Sequence, residues 1–301
     1  MSTALARLVA AVVLTALGAL ATRRWGQAPL ASAVSRFLIA FSIPVLTWYT
    51  VAVSMPRYSQ LAGVAAVGIA YMVAGFVLAY AASRRAAARL GWSCGRAAAV
   101  VLASVVQNSI FIPVPLALLM GRDVDHVMAY SLSYNLAVAV AVPFVAGSCG
   151  GSVGVGRIIA RYPPFYGLLA GIAAAPLLAG HAVPPVVELA RRIAAESTLL
   201  SFYLVGAGVA AAWPPRLGSG EAAVLAWRHL LSPLIHVLLA VPLGLEGWGL
   251  ESVLLESVMP PATMNIVFAR YYGLDERLVA SSMAISTPIG LLEALALVSI
   301  A

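Results

Sequence analysis

Ten apolar runs make up most of the chain, and short connections separate them. The runs are close to the length with which a helix spans a bilayer. Because lipid offers no hydrogen bonds to the backbone, segments of this kind fold as helices. The pattern predicts an all-α integral membrane protein with ten transmembrane helices, at residues 3–22, 36–55, 60–83, 97–120, 126–146, 162–180, 186–212, 222–244, 252–270 and 277–300.

Composition excludes several other classes of protein. Of the 301 residues, 62% are hydrophobic and only 10% are charged, whereas soluble domains carry much more charge. The formal net charge of +7 comes from arginines that lie mostly in short loops, so it indicates membrane topology and not a nucleic-acid partner. The sequence has no HExxH, GxSxG or Walker motif and no metal-spaced Cys/His cluster. We therefore expect neither an enzyme nor a bound cofactor or metal.

The arginines also predict an orientation. They concentrate in the odd-numbered connections, which the positive-inside rule places in the cytoplasm. Both termini are then extracytoplasmic, in a multi-pass protein of the plasma membrane. Cys94 and Cys149 fall on the arginine-rich side, where two cysteines without CxxC spacing are expected to remain free thiols.

The glycine-rich stretch "GSCGGSVGVG" at residues 147–156 lies at the midpoint of the chain. It predicts a cytoplasmic linker (147–161) between two five-helix halves (1–146 and 162–301). Because five is odd, the two halves would insert with opposite orientation, as in many secondary transporters. An offset of 152 residues supports this inverted repeat, since it aligns the following pairs: Gly121 with Gly273, Asp123 with Asp275, Asn108 with Pro260, Pro113 with Asn265, and Asn135 with Thr287.

Prolines interrupt two of the runs at corresponding places, in "SVVQNSIFIPVPLALLMG" and "ESVMPPATMNIVFARYYG". A single proline would indicate an ordinary kink. A pair in each of two matching segments favours discontinuous helices that cross near the middle of the membrane. Interrupted helices expose backbone N–H groups, which attract anions. Asn108 and Asn265 would add neutral donors, so the pattern predicts a polar site for an anion inside the bilayer.

The stretch "MPPATMNIVFARYYGLDERLVASSMAISTPIGLLEAL" resembles the ninth and tenth segments of the auxin efflux carrier family, which includes PIN-type carriers and malate-permease-like proteins. "VVQNSIFIPVPLALLMG" resembles the fourth segment of that family, and "SRFLIAFSIPVL" and "RYPPFYGLLAGI" its second and sixth. The resemblance implies two inverted five-helix repeats, with a scaffold and a moving part. It also implies a carboxylate-bearing organic anion at the crossover of segments four and nine, with Asn108 in contact with it, and a possible homodimer.

These observations predict a set of site residues. Arg228 and His229 are expected to extend to the membrane interface instead. Glu256 could bind a proton beside the site, or it could lie at the external end of its segment, where water reaches it. The predicted substrate-binding residues are Asn108, Ser109, Pro113, Pro115, Pro260, Pro261, Asn265 and Asn135, and the possible proton-coupling residues are Glu256, Glu293 and Glu196.

The predicted function is secondary transport of small organic carboxylates by alternating access, as efflux or exchange, with possible coupling to H+ or Na+. One alternative is a sodium-coupled symporter of the bile-acid type, although the shortage of buried carboxylates counts against it. The other alternative is a membrane protein that binds a ligand without transporting it.

Overall fold

The computed structural model describes residues 3–26, 29–56, 59–147, 149, 163–179 and 181–300. The predicted linker at 147–161 lies outside these residues, except for Gly147 and Cys149. Within the described residues, the regular structure is helical. The helices are α1 (Thr3–Trp25), α2 (Leu30–Ser54), α3 (Ser59–Leu90), α4 (Cys94–Val105), α5 (Pro113–Leu119), α6 (Asp125–Gly147), α7 (Pro163–Leu178), α8 (Pro185–Ala211), α9 (Ser219–Leu243), α10 (Gly247–Ser257), α11 (Met264–Tyr271) and α12 (Glu276–Ile300).

In the described part of the chain, five helices are long and apolar enough to cross a membrane: α2, α3, α8, α9 and most of α12. Helices α4 and α7 are shorter apolar helices. Large apolar side chains such as Val73, Leu177 and Leu238 are exposed on the outside of the molecule. A protein with this surface lies in lipid and not in water, so the all-helical chain is an integral membrane protein.

Four helices, α1, α2, α7 and α8, form one packed group. A Cβ atom on Gly18 of α1 would lie 2.0 Å from the carbonyl oxygen of Tyr203 on α8, and one on Gly206 would lie 1.9 Å from that of Thr15. A Cβ atom on Gly167 of α7 would likewise lie 2.5 Å from the carbonyl oxygen of Pro44 on α2. Only glycine allows these backbones to come so close, which holds the group together.

The remaining helices form a second group around a different core. Helix α3 packs along α4 and α6, and α9 packs against α4 and α12. Val67, Tyr71, Tyr134, Trp227 and Val253 belong to one buried cluster of this group. The two groups meet where α2 faces α6 and the chain between α4 and α5, where α5 packs against α1 and α8, and where α8 packs against α12. One buried cluster, which includes Leu46, Phe202, Val114 and Met128, spans both groups.

The prediction of two free thiols was wrong. Cys94, at the start of α4, and Cys149 form a disulfide bond across 55 residues of sequence. The sequence spacing gave no hint of it, because the pairing depends on how the end of α6 returns to the start of α4. The bond ties the first residue of α4 to the chain that follows α6.

Candidate functional site

Two interruptions of the helical backbone meet inside the second group. Helix α4 ends at Val105 and α5 begins at Pro113, so residues 106–112 form what we call the first break. Helix α10 ends at Ser257 and α11 begins at Met264, so residues 258–263 form the second break. Each pair of short helices therefore has about the length of one spanning helix.

The two breaks are joined by backbone hydrogen bonds. The N–H of Asn108 donates to the carbonyl of Pro260 at 2.8 Å, and the N–H of Ala262 donates to that of Val106 at 2.9 Å. Gln107 and Pro261 thus pair as an isolated antiparallel bridge. Because both prolines of the second break lack an N–H, the second break donates through the N–H of Ala262 and accepts at the carbonyl of Pro260. The contact fixes the two breaks against each other.

A cavity of about 330 Å³ lies beside the paired breaks. Helix α2 of the first group closes one side, and α6 and α11 close others. The described residues that line it are Ile39, Ile43, Val106, Gln107, Asn108, Ser109, Ile110, Phe111, Asn135, Val138, Val142, Ala262, Thr263, Met264 and Phe268. None of these residues carries a formal charge, and most of the wall is apolar.

The polar part of the wall comes mainly from the first break. The side-chain oxygen of Asn108 accepts a hydrogen bond from the N–H of Phe111 at 2.9 Å. The amide nitrogen of Asn135 donates to the Ser109 hydroxyl at 3.1 Å and to the Ser131 carbonyl at 2.7 Å. Among the described residues, the Asn108 amide nitrogen has no partner and is not fully buried. It can therefore donate to a bound molecule.

Backbone N–H groups of both breaks also lack partners at the cavity. In the described part of the chain, the N–H groups of Ser109 and Ile110 in the first break donate to no acceptor. The same holds for Thr263 and Met264, at the start of α11. All four residues line the cavity. Unpaired amides inside a membrane protein carry a desolvation cost that an oxygen-bearing ligand would relieve.

Asn265 occupies a different position from Asn108. It is fully buried and does not line the cavity. Its amide nitrogen donates to the carbonyl of Val106 at 2.6 Å and to that of Leu102 at 3.4 Å. Its side-chain oxygen is buried without a partner among the described residues. Asn265 thus connects the start of α11 to the end of α4.

The four predicted site prolines lie outside the cavity wall. Pro113 and Pro115 are buried in the first turn of α5, where a missing N–H is tolerated. Pro260 and Pro261 are buried in the second break. In this structure Pro113 and Pro115 begin α5, whereas Pro260 and Pro261 follow the end of α10, and all four shape the backbone beside the cavity.

Glu256 is fully buried and does not line the cavity. Its carboxylate accepts a hydrogen bond from the side-chain nitrogen of Gln107 at 3.1 Å. The Ser131 hydroxyl lies 3.5 Å from its other oxygen. Because Gln107 also lines the cavity, a single side chain separates the cavity from this carboxylate.

The prediction that Arg228 extends to the membrane interface was wrong. Its side chain is 0% exposed, and it lies between the ends of α4 and α10. It donates to the phenol oxygen of Tyr71 at 2.9 Å and to the side-chain oxygen of Gln107 at 2.9 Å, and its other acceptors are backbone carbonyls. Gln107 therefore bridges Arg228 and Glu256.

The other two predicted acidic residues lie away from the cavity. Glu293 of α12 is hydrogen-bonded to the His229 ring at 2.7 Å, and that ring also contacts the Ser286 hydroxyl at 2.8 Å. Glu196 of α8 is half-exposed and forms an ion pair with Arg7. Neither carboxylate contacts the breaks.

Sequence reasoning missed Gln107 and Thr263 as cavity residues. Both stand inside the interrupted runs, as "QNS" and "PAT", where a polar residue in an apolar segment is a usable signal. It also missed the apolar wall from Ile39, Ile43 and Phe268. No sequence signal identifies that wall, because it depends on which faces of α2 and α11 meet the breaks.

The comparisons with known proteins bear on the second half of the chain. A family model described as "Membrane transport protein" matches residues 204–298. No match was found among curated proteins. The matched region runs from the end of α8 into α12 and includes the whole second break. Over residues 204–298 the chain thus matches the membrane transport protein family, which agrees with its resemblance to the auxin efflux carriers.

Proposed function

We propose that this protein is a secondary transporter that carries small organic carboxylates across the membrane. The observation that carries the proposal is the cavity at the paired breaks. Its wall includes Asn108 and four residues whose backbone N–H groups have no acceptor in the described part of the chain, and no charged side chain among the described lining residues competes with an anion. Donors of this kind stabilise a carboxylate in surroundings that contain little water.

The apolar part of the cavity limits the substrates that would fit. Ile39, Ile43, Val138, Val142 and Phe268 face the polar residues of the first break. A second carboxylate would have no donor on that side and would be buried unpaired, which is costly. The substrate we propose has one carboxylate on an apolar body.

The helices support an inverted repeat of the two halves at the 152-residue offset. Moved by this offset, α4 and α5 fall on α10 and α11, and α6 falls on α12. The aligned Gly121 and Gly273 both have positive φ, 71° and 66°. The aligned Asp123 and Asp275 each accept a backbone N–H at the start of the following helix, at 3.0 Å. In our proposal, segments four and nine are crossover helices within ten spans.

Alternating access would arise from movement between the two helix groups. The cavity lies at their boundary, because α2 supplies Ile39 and Ile43 while the second group supplies the remaining lining residues. A displacement of the second group along α2 would carry the breaks and their ligand together. We propose α1, α2, α7 and α8 as the scaffold and the second group as the moving part.

Coupling to protons would involve Glu256. This carboxylate contacts Gln107, which reaches the cavity. Protonation of Glu256 would change the hydrogen bond to the Gln107 amide, whose backbone holds the paired breaks. Glu256→Gln keeps the size of the side chain and removes the titration. We expect it to abolish any dependence of flux on a pH gradient.

The proposal is tested by flux in proteoliposomes. Proteoliposomes of the purified protein are preloaded with phenylacetate, and the uptake of external radiolabelled substrate is measured. The substrates are phenylacetate, which has an apolar body, and malate, which has two carboxylates. We expect uptake of phenylacetate in exchange for internal phenylacetate, and much less uptake of malate. Binding of a carboxylate without flux would contradict transport and indicate a ligand-binding protein.

A further inference from the structure

Arg228 uses all five of its N–H groups inside the membrane protein. Nε donates to the carbonyl of Met259 at 2.8 Å. Nη1 donates to the Tyr71 hydroxyl at 2.9 Å and to the carbonyl of Ser104 at 3.3 Å, and Nη2 donates to the Gln107 side chain at 2.9 Å and to the carbonyl of Ser257 at 3.2 Å. Every acceptor is a neutral oxygen atom.

Three of these oxygens belong to the C-terminal ends of interrupted helices or to a break. Ser104 lies in the last turn of α4, Ser257 is the last residue of α10, and Met259 lies in the second break. A helix C-terminus leaves carbonyl groups unpaired and carries partial negative charge. Two such ends that meet at the depth of a membrane form a site that attracts a cation. In secondary transporters, carbonyls of this kind coordinate a coupling ion such as Na+.

We propose that Arg228 is a built-in cation at the meeting point of α4 and α10, and that transport by this protein therefore does not require Na+. The guanidinium group donates hydrogen bonds to the carbonyl oxygens that would otherwise coordinate a metal ion. The statement about transport depends on the proposed function, whereas the cation site itself does not.

The charge balance around Arg228 supports this assignment. Glu256 is the buried carboxylate nearest to it through the hydrogen-bond network, and Gln107 connects the two with its oxygen toward Arg228 and its nitrogen toward Glu256. When Glu256 is ionised, one buried positive charge is thus matched by one buried negative charge. A metal ion added beside them would be unpaired, which low-dielectric surroundings disfavour.

Chemical rescue tests the cation site without any transport assay. Arg228→Ala removes the guanidinium and leaves space lined by the same oxygens. We expect its melting temperature in detergent to fall by on the order of 10 °C. Millimolar guanidinium chloride should restore much of that loss, while urea at the same concentration should not. Arg277→Ala, at an exposed position, is the matched control and should show neither the loss nor the rescue.

Two further variants keep the test decisive if Arg228→Ala fails to fold. Arg228→Lys retains a positive charge with three donors and should fold with partial activity. Arg228→Met retains the volume without the charge and should be inactive. Wild-type stability together with wild-type flux in Arg228→Met would overturn the proposal.

The flux arm replaces Na+ with N-methylglucamine on both sides of wild-type proteoliposomes. We expect phenylacetate exchange to be unchanged, and loss of exchange without Na+ would overturn the proposal. If no flux of any carboxylate is seen in either buffer, the proposed function fails, and the rescue of Arg228→Ala by guanidinium then decides the assignment of the cation site alone.

Discussion

The first and second breaks occupy equivalent positions in the two halves, yet they face different surroundings. The first break presents Gln107, Asn108 and Ser109 to the cavity, whereas Asn265, beside the second break, is buried against α4. The second helix after each break, α6 in the first half and α12 in the second, accounts for part of this difference. At the 152-residue offset, Val138 of α6 corresponds to Gly290 of α12, and Val138 lines the cavity.

Gly290 lets α12 pack directly against the second break. A Cβ atom there would lie 2.4 Å from the carbonyl oxygen of Val258 and 3.4 Å from the Pro260 ring. Helix α6 does not approach the first break in this way, and a cavity remains beside it. Both breaks line the cavity, but the first supplies Gln107, Asn108 and Ser109, whereas the second supplies Ala262 and Thr263 and packs against α12. The predictions below test this difference between the breaks.

The largest effect is expected for the first break, in the variant Asn108→Asp. The aspartate keeps an acceptor for the Phe111 N–H but brings a negative charge to the anion site. Losing the amide donor alone costs about 1.5–3 kcal/mol, so phenylacetate exchange should fall by about 10- to 100-fold or more. The melting temperature in detergent should change little. Unaltered exchange would remove Asn108 from the binding site.

The next effect concerns the packing of the second break, in Gly290→Ala. The added methyl group would meet backbone atoms that cannot rotate away, and overpacking of this kind costs about 1–3 kcal/mol. We expect a clear drop in melting temperature. Val138→Ala, at the equivalent position beside the cavity, is the control and should cost less. Equal stability losses would contradict the asymmetry between α6 and α12.

A smaller effect is expected for Asn265→Ala. It removes a donor to the Val106 carbonyl, which keeps its hydrogen bond from Ala262. The cost to stability should be about 1 kcal/mol, and exchange by the folded protein should persist. This result would contrast with that of Asn108→Asp. A loss of exchange as deep as in Asn108→Asp would show that both asparagines serve the ligand.

The smallest effects are expected for hydroxyl groups at the cavity. Ser109→Ala removes the acceptor for Asn135 and should slow exchange about fivefold, the value of one neutral hydrogen bond. Thr263→Val keeps the shape of the second-break side chain and should change exchange less. Initial rates at low substrate concentration measure both. A larger effect for Thr263→Val would place the dominant polar contact on the second break.

The sequence indicates where the breaks lie, but it does not indicate which residues surround them. Helix α10 ends shortly before Pro260 because proline cannot continue the backbone hydrogen bonding, and Pro113 begins α5, where its missing N–H is tolerated. The end of α4 at Val105, eight residues before Pro113, is not explained by a proline. The burial of Asn265 depends on how α11 meets α4, which local sequence does not encode. The position of Arg228 along its segment predicts an interfacial side chain, whereas its acceptors come from residues 29 to 157 positions away, which local sequence does not reveal.

The central claim is that the paired breaks bind a carboxylate, and a matched pair of ligands tests it most directly. Thermal unfolding of the purified protein is measured with phenylacetate and with phenylacetamide, which has nearly the same shape but no charge. We predict that phenylacetate raises the melting temperature of the wild type, that phenylacetamide does not, and that Asn108→Asp abolishes the effect. Equal stabilisation by both compounds, or an undiminished phenylacetate effect in Asn108→Asp, would contradict the account.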